Sequence, residues 1–208
     1  MELIKKYFTK LNIVQYQQLE ELLPLYQYWN NQINVISRKD MENFYLHHVL
    51  HSLSLCRLIN FSNETKVMDL GCGGGFPGIP LAIYYPEVEF TLIDSIGKKI
   101  KVVEEVKNAL QLKNVRTFNI RAEQHREKYH YVVSRAVAKI SDLLLWTSNS
   151  FTTKEINPLP NGLIAYKGGD LTEELQSLHK KHPFEVWDIF NSIPEEYFKN
   201  KSLVYVQK

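Results

Sequence analysis

The sequence predicts an α/β fold: a mostly parallel sheet of seven strands, with an antiparallel hairpin at one edge and an N-terminal helical extension. Three observations carry this prediction. From residue 65 onward, short apolar runs alternate with amphipathic stretches of helix length. A dense glycine turn follows the first of those runs. The residues before it show helical spacing instead.

In the N-terminal part, Leu19, Leu22, Leu23, Tyr26 and Trp29 give one apolar helix face. Pro24 falls inside that pattern and is expected to kink or split it. A second helix is expected over Asp40–Arg57, with Asp40 as its N-cap. Ser62-Asn63-Glu64 reads as a linker. This divides the chain into an extension, residues 1–62, and a main domain, residues 63–208.

In the main domain, Lys66–Leu70 reads as a strand running into the glycine turn. Val88–Ile93 is a second strand, ending at Asp94. Gly97–Leu110 is an amphipathic helix with Ile100, Val103, Val106 and Leu110 on one face. Strands follow over Val115–Ile120 and Tyr129–Ser134, then a helix over Ile140–Phe151 and a strand over Leu163–Tyr166. A helix over Asp170–Lys180 precedes the last two strands, Phe184–Phe190 and Leu203–Val206. No helix separates those two, hence the expected hairpin. The sequence shows no internal repeat or low-complexity tract.

Composition narrows the function. The chain has 208 residues and a net charge of +2, so a surface for an anionic polymer has to be a local patch. Its two cysteines, Cys56 and Cys72, fit a reducing compartment and support neither a disulfide scaffold nor a cysteine-based zinc cluster. The opening MELIKKYFTKLN has no apolar h-region, and no run approaches the roughly 20 apolar residues of a membrane span. The expected location is the cytoplasm.

The main chemical signal is Asp69-Leu70-Gly71-Cys72-Gly73-Gly74-Gly75-Phe76-Pro77-Gly78 between a strand and a helix. Glycines there let the backbone turn sharply and approach a ligand. Gly73, Gly75 and Gly78 satisfy the G-x-G-x-x-G spacing of a Rossmann-like dinucleotide turn, and Asp94 is placed to accept from a ribose. One reading is therefore an NAD(P)-dependent oxidoreductase. Asp69 favours another. A carboxylate at the strand end can hold the ammonium group of S-adenosylmethionine but repels a pyrophosphate. Pro77 and Pro80 also remove N–H groups that a pyrophosphate needs.

Further segments carry a family resemblance. They are Tyr28-Trp29-Asn30 with Asn34, His48-Val49-Leu50 with Ser52-Leu53, and the run Asp69 to Leu81. Asp94-Ser95 with Lys98-Lys99, Asn114-Val115, Arg121-Ala122-Glu123, Ser134-Arg135-Ala136-Val137-Ala138 and Lys167-Gly168 complete the set. In this order, over about residues 25–170, the chain resembles the bacterial small-subunit ribosomal RNA guanine-N7 methyltransferases, also called the glucose-inhibited division protein B family. The resemblance implies a Rossmann-like class I methyltransferase fold. It also implies methyl transfer from S-adenosylmethionine to N7 of a guanine in 16S ribosomal RNA. The partner is then that RNA or the small ribosomal subunit. A non-catalytic assembly factor with a vestigial pocket stays open beside it.

The resemblance also implies roles for single residues. Gly71 and Phe76 belong to the cofactor pocket, with Asp69, Gly73 and Gly75 of the same turn. Asp94 is the ribose ligand, and Ala122 and Glu123 border the adenine. Arg135 lies near the cofactor and, with His48, is a candidate catalytic residue that positions rather than acts as a base. Two positions depart from the family: His51 stands where Asp is usual, and His130 where the fourth strand usually begins with Asp.

Arg121, Lys139 and Lys167, with Arg135, cluster at expected strand ends and form a basic rim for RNA phosphates. His47 and His51 are four apart on a helix but lack a third ligand, so no metal is expected. N7 of guanine carries a lone pair and no proton. Its methylation needs alignment rather than a general base, which suits a chain with no evident base dyad at the turn.

Overall fold

The computed structural model describes residues 1–178 and 182–208, except for the side chain of Arg38. The chain opens with α1 (Glu2–Tyr7) and α2 (Ile13–Asn30). Asn12 caps α2 reciprocally with Gln15: Asn12 Oδ1 accepts from Gln15 N at 2.9 Å, and Gln15 Oε1 accepts from Asn12 N at 3.0 Å. Pro24 does not split α2. A proline leaves the carbonyl four residues earlier without its helical donor. That carbonyl belongs to Glu20, and the Tyr45 hydroxyl donates to it at 3.0 Å.

The expected Asp40–Arg57 helix is four shorter turns. Ser37, not Asp40, caps α3 (Arg38–Met41), its Oγ accepting from Asp40 N at 3.1 Å. A π-helical turn, Tyr45–Leu50, then runs into α4 (His51–Leu53) and a 3₁₀ turn, Ser54–Arg57.

Among the described residues seven strands follow: β1 (Lys66–Leu70), β2 (Glu89–Asp94), β3 (Val115–Asn119), β4 (Tyr131–Arg135), β5 (Gly162–Gly168), β6 (Phe184–Asp188) and β7 (Lys201–Gln207). They form one sheet in the order β3-β2-β1-β4-β5-β7-β6. The first five are parallel, and β7 runs antiparallel to both β5 and β6. The helices between them are α5 (Gly78–Tyr84), α6 (Gly97–Ala109), α7 (Ile140–Trp146) and α8 (Thr172–Leu178).

Several boundaries differ from the sequence reading. The helix expected to reach Phe151 stops at Trp146, because Phe151 pairs with Tyr129 in a parallel bridge. Tyr129 itself lies before β4. Asp170 stands outside α8, where its Oδ1 accepts from Thr172 N at 2.9 Å. The expected end at Lys180 lies outside the described residues. The strand expected to reach Phe190 ends at Asp188, whose side chain caps the 3₁₀ turn Ile189–Asn191.

The sheet is covered on both faces, as a parallel sheet requires. On one face, Val67, Phe90, Leu92 and Tyr131 join Leu19, Leu22, Tyr26, Leu50 and Val103 in one apolar cluster. The other face packs Met68, Leu70, Val132, Leu163 and Ala165 against Ile140, Leu143 and Leu178. No described helix is long and apolar enough to cross a membrane. The carboxyl ends of β1, β2 and β4 converge on the glycine turn, where open α/β sheets take their ligands.

Candidate active site

The turn after β1 is held by two carboxylates. Gly71, Gly73 and Gly75 have φ of +68°, +55° and +95°, a region that L side chains rarely occupy. A Cβ on Gly71 would stand 2.5 Å from Val137 Cγ2. Asp94 Oδ2 accepts from Gly73 N at 3.0 Å, and its Oδ1 accepts from Ile96 N at 2.8 Å. Asp69 is fully buried beneath the turn, and its Oδ2 accepts from Gly78 N at 2.7 Å. Its Oδ1 has no partner in the protein. Burial, opposed by the Gly78 bond, raises the Asp69 carboxyl to about 7.

A cavity of about 300 Å³ opens above this turn. Gly71, Asp94, Arg121, Ala122 and Glu123 line it, with Ile93, Ser95, Lys99, Val137 and Trp146. A second cavity, about 560 Å³, lies on the other side of Ala136 and Val137, which line both. Ala136 has φ +57°, an unusual conformation for a residue with a Cβ. It turns the chain sharply after β4 so that Val137 folds back over Gly71.

His48, Arg135 and Lys167 line the second cavity, with Asp40, His47, His51, Tyr166, Tyr197 and Lys201. Arg135 donates to the carbonyl of His47 at 3.2 Å and to Nδ1 of His48 at 3.1 Å. Its guanidinium also lies 5.5 Å from the centre of the Phe76 ring, and the His48 ring is 5.0 Å from the same ring. The π-helical turn contributes the carbonyl and the imidazole that Arg135 bridges, a common use of such turns at functional sites. Burial and the Arg135 charge lower His48 to about 3. His51 is buried against Tyr166, Tyr197 and Phe198, and burial keeps it neutral.

The structure thus divides the sequence candidates. Gly71, Asp94, Ala122, Glu123 and Arg121 meet at the first cavity, and His48, Arg135 and Lys167 at the second. Asp69, Gly73, Gly75 and Phe76 line neither and lie in or beneath the turn. Gly75 is packed: a Cβ there would lie 2.8 Å from Ile79 Cγ1. Lys139 is exposed at the start of α7. Lys167 is already paired, with Glu174 at 2.7 Å and the Ala138 carbonyl at 2.9 Å. His130, just before β4, accepts from Lys66 N through Nδ1 at 2.9 Å. Sequence reasoning missed Trp146, Tyr197 and Lys201, which reach the site from distant parts of the chain.

The sheet order separates the two cofactor readings. Dinucleotide-binding sheets run 3-2-1-4-5-6 in parallel, whereas here the antiparallel β7 inserts between β5 and β6. The first N–H of α5, where a pyrophosphate would bind, is taken by Asp69. Residues 15–192 match the family model GidB, rRNA small subunit methyltransferase G. The chain belongs to this family.

GidB relatives match along the whole chain. The ribosomal RNA small subunit methyltransferase G of Phocaeicola vulgatus is 52% identical over 206 residues, 99% of this chain and 98% of the relative. The protein of the same name from Porphyromonas gingivalis is 52% identical over 99% of this chain and 92% of its own length. Among solved structures, a SAM-dependent methyltransferase from Aquifex aeolicus superposes with a TM-score of 0.57. It is 14% identical and covers 82% of this chain and 98% of its own. A SAM-dependent O-methyltransferase from Thermotoga maritima gives 0.60 at 12% identity, over 81% of this chain and 69% of its own. The GidB chain therefore has the class I methyltransferase fold.

Proposed function

We propose that this protein transfers a methyl group from S-adenosylmethionine to N7 of a specific guanine in 16S ribosomal RNA. Membership of the GidB family supports the reaction and substrate class. The observation that carries the reading is the pair of neighbouring cavities that share Ala136 and Val137 in their lining. Methyl transfer needs a donor and an acceptor brought together from two sides, and this site has two sides.

The residues of the first cavity fit the cofactor. Asp94 faces it with a carboxylate for two ribose hydroxyls, Ala122 and Glu123 flank the adenine, and Gly71 lets the backbone come close. The orphaned Oδ1 of Asp69 beneath the turn leaves one acceptor for the aminoacyl end. When bound, S-adenosylmethionine supplies an electrophilic methyl group. The chain aligns the acceptor and excludes water. Arg135 and His48 position the acceptor, and His48 is kept neutral with Nδ1 already occupied by Arg135. Arg121 and Lys139, both exposed, bind RNA phosphates at the rim. The partner is 16S ribosomal RNA or the small subunit, which places the protein in the cytoplasm.

The test is to map modified nucleotides in small-subunit ribosomal RNA from cells with and without this protein. A single N7-methylguanine that disappears with the protein is expected. Identical maps, with no methyl transfer from radiolabelled cofactor, would leave only an assembly role.

A further inference from the structure

The second cavity is rich in positive and ionisable nitrogen, from Arg135, Lys167, Lys201 and three histidines, yet Asp40 is the one carboxylate among its lining residues. That carboxylate is fixed in place. Ser37 Oγ donates to its Oδ2 at 2.6 Å, and His47 Nδ1 lies 3.0 Å from Oδ1. These bonds hold it below the usual carboxylate range, with the Ser37 bond foremost. A carboxylate offers about four lone-pair sites, so about two stay free, and the side chain is 43% exposed. Beside it, the His47 ring stacks on Tyr197 with centroids 4.1 Å apart and forms an aromatic wall. Asp40 lines only the second cavity, whereas Ala136 and Val137 line both.

Guanine presents the N7 and O6 acceptors on one edge. Its opposite edge carries two donors, N1–H and the 2-amino group. With N7 turned toward the wall shared with the first cavity, the donor edge faces away from that wall. We propose that Asp40 accepts hydrogen bonds from N1–H and the 2-amino group of the acceptor guanine, and is a specificity-determining residue. The inference rests on the methyltransferase reading above. In the transfer, a bond forms between N7 and the methyl carbon as the sulfur–carbon bond breaks. The electron pair goes to sulfur, and no proton moves. The purine becomes cationic and its N1–H a stronger donor, so the bond to Asp40 strengthens as the charge develops.

The test compares guanosine with inosine at the acceptor position of small-subunit ribosomal RNA, since inosine lacks only the 2-amino group. Wild-type protein is expected to favour guanosine in kcat/KM by about ten- to hundredfold, the range for one hydrogen bond to a charged group. Asp40→Asn keeps an acceptor for His47 but loses the charge. It should lower kcat on guanosine and bring the guanosine-to-inosine ratio toward one, with cofactor affinity by calorimetry unchanged. A variant that keeps the wild-type ratio overturns the inference and leaves Asp40 as a partner of Ser37 and His47 alone. Equal rates on guanosine and inosine with wild-type protein overturn it without any variant. If the wild type methylates no guanine N7 at all, the functional reading falls and this inference falls with it.

Discussion

A guanidinium N–H of Arg135 donates to Nδ1 of His48 across 3.1 Å, joining residues 87 positions apart. A guanidinium has no acceptor, so Nδ1 carries the lone pair and the ring proton sits on Nε2. That proton is buried without a partner in the protein. With His48 lowered to about 3, the ring stays neutral throughout the working range. The single-turnover rate at saturating cofactor and RNA should therefore be flat between about pH 6 and 8. His48→Gln should lower the rate without adding or removing a limb. A log rate rising with unit slope over that range in the wild type would reveal an obligatory base that loses its proton there, and would overturn the base-free reading.

Asp94 holds the turn as well as facing the cavity, so Asp94→Ala would leave two backbone N–H groups without their acceptor. Asp94→Asn is the cleaner probe. It should weaken S-adenosylmethionine by about 1.5–3 kcal/mol, the range for hydrogen bonds to charged groups. An analogue lacking both ribose hydroxyls should bind wild type and variant about equally in calorimetry. If Asp94→Asn still discriminates against that analogue as the wild type does, another residue binds the ribose.

Lys139 and Lys167 should behave differently. Lys139 is exposed, so Lys139→Ala should weaken RNA binding and reduce the log–log salt slope by about 0.7–0.9. Its cofactor affinity and melting temperature should not change. Lys167 ties β5 to Glu174 of α8 in a pair whose side chains are 14% and 18% exposed. Glu174 also accepts from the backbone N–H of Ile140 at the start of α7. Lys167→Ala should lower stability by about 1–3 kcal/mol, because it removes the cationic partner of a half-buried carboxylate and leaves it only the Ile140 N–H. Salt titrations of binding and thermal melts separate the two. Wild-type stability in Lys167→Ala, with a flattened salt slope, would make it an RNA contact after all.

Asp69 gives a pH-dependent difference in stability. Its folded carboxyl sits at about 7, raised by burial above the value in the unfolded chain. Between about pH 4 and 7 the native state holds a proton that the unfolded state has lost, so this group's contribution falls as pH rises. Asp69→Asn keeps an acceptor for Gly78 N–H and does not titrate. The unfolding free energy of the variant minus that of the wild type should rise over this window and level off above it. Each proton of difference is worth about 1.4 kcal/mol per pH unit. Denaturant melts at a series of pH values measure it. A difference constant from pH 4 to 8 would show that Asp69 is ionised in the fold throughout.

The fold was legible because its signals are local. Lys66–Leu70 reads as a short apolar run, and the density of glycines after it marks the turn, at which Gly71, Gly73 and Gly75 take positive φ in the structure. Boundaries were less legible where a distant partner intervened. Pro24 reads as a helix breaker until Tyr45 satisfies the carbonyl of Glu20. Phe151 reads as helix until it pairs with Tyr129. Asp69 reads as a cofactor ligand; its sequence position does not reveal that one of its oxygens also braces the start of α5, while the other has no partner in the protein.

The sequence by itself determined the α/β class, the glycine turn, Asp94 at the end of β2 and the resemblance that names the family. Each rests on short runs of residues and their order along the chain, which can be read without knowing which runs meet in the fold. Only the tertiary structure decided that the site has two cavities, that Ala136 and Val137 divide them, and that Lys167 is already paired with Glu174. It alone brought His48 from the N-terminal segment onto Arg135 at the end of β4, and Tyr197 onto His47. Those contacts join segments tens to more than a hundred residues apart, and sheet order and packing set them, not sequence spacing.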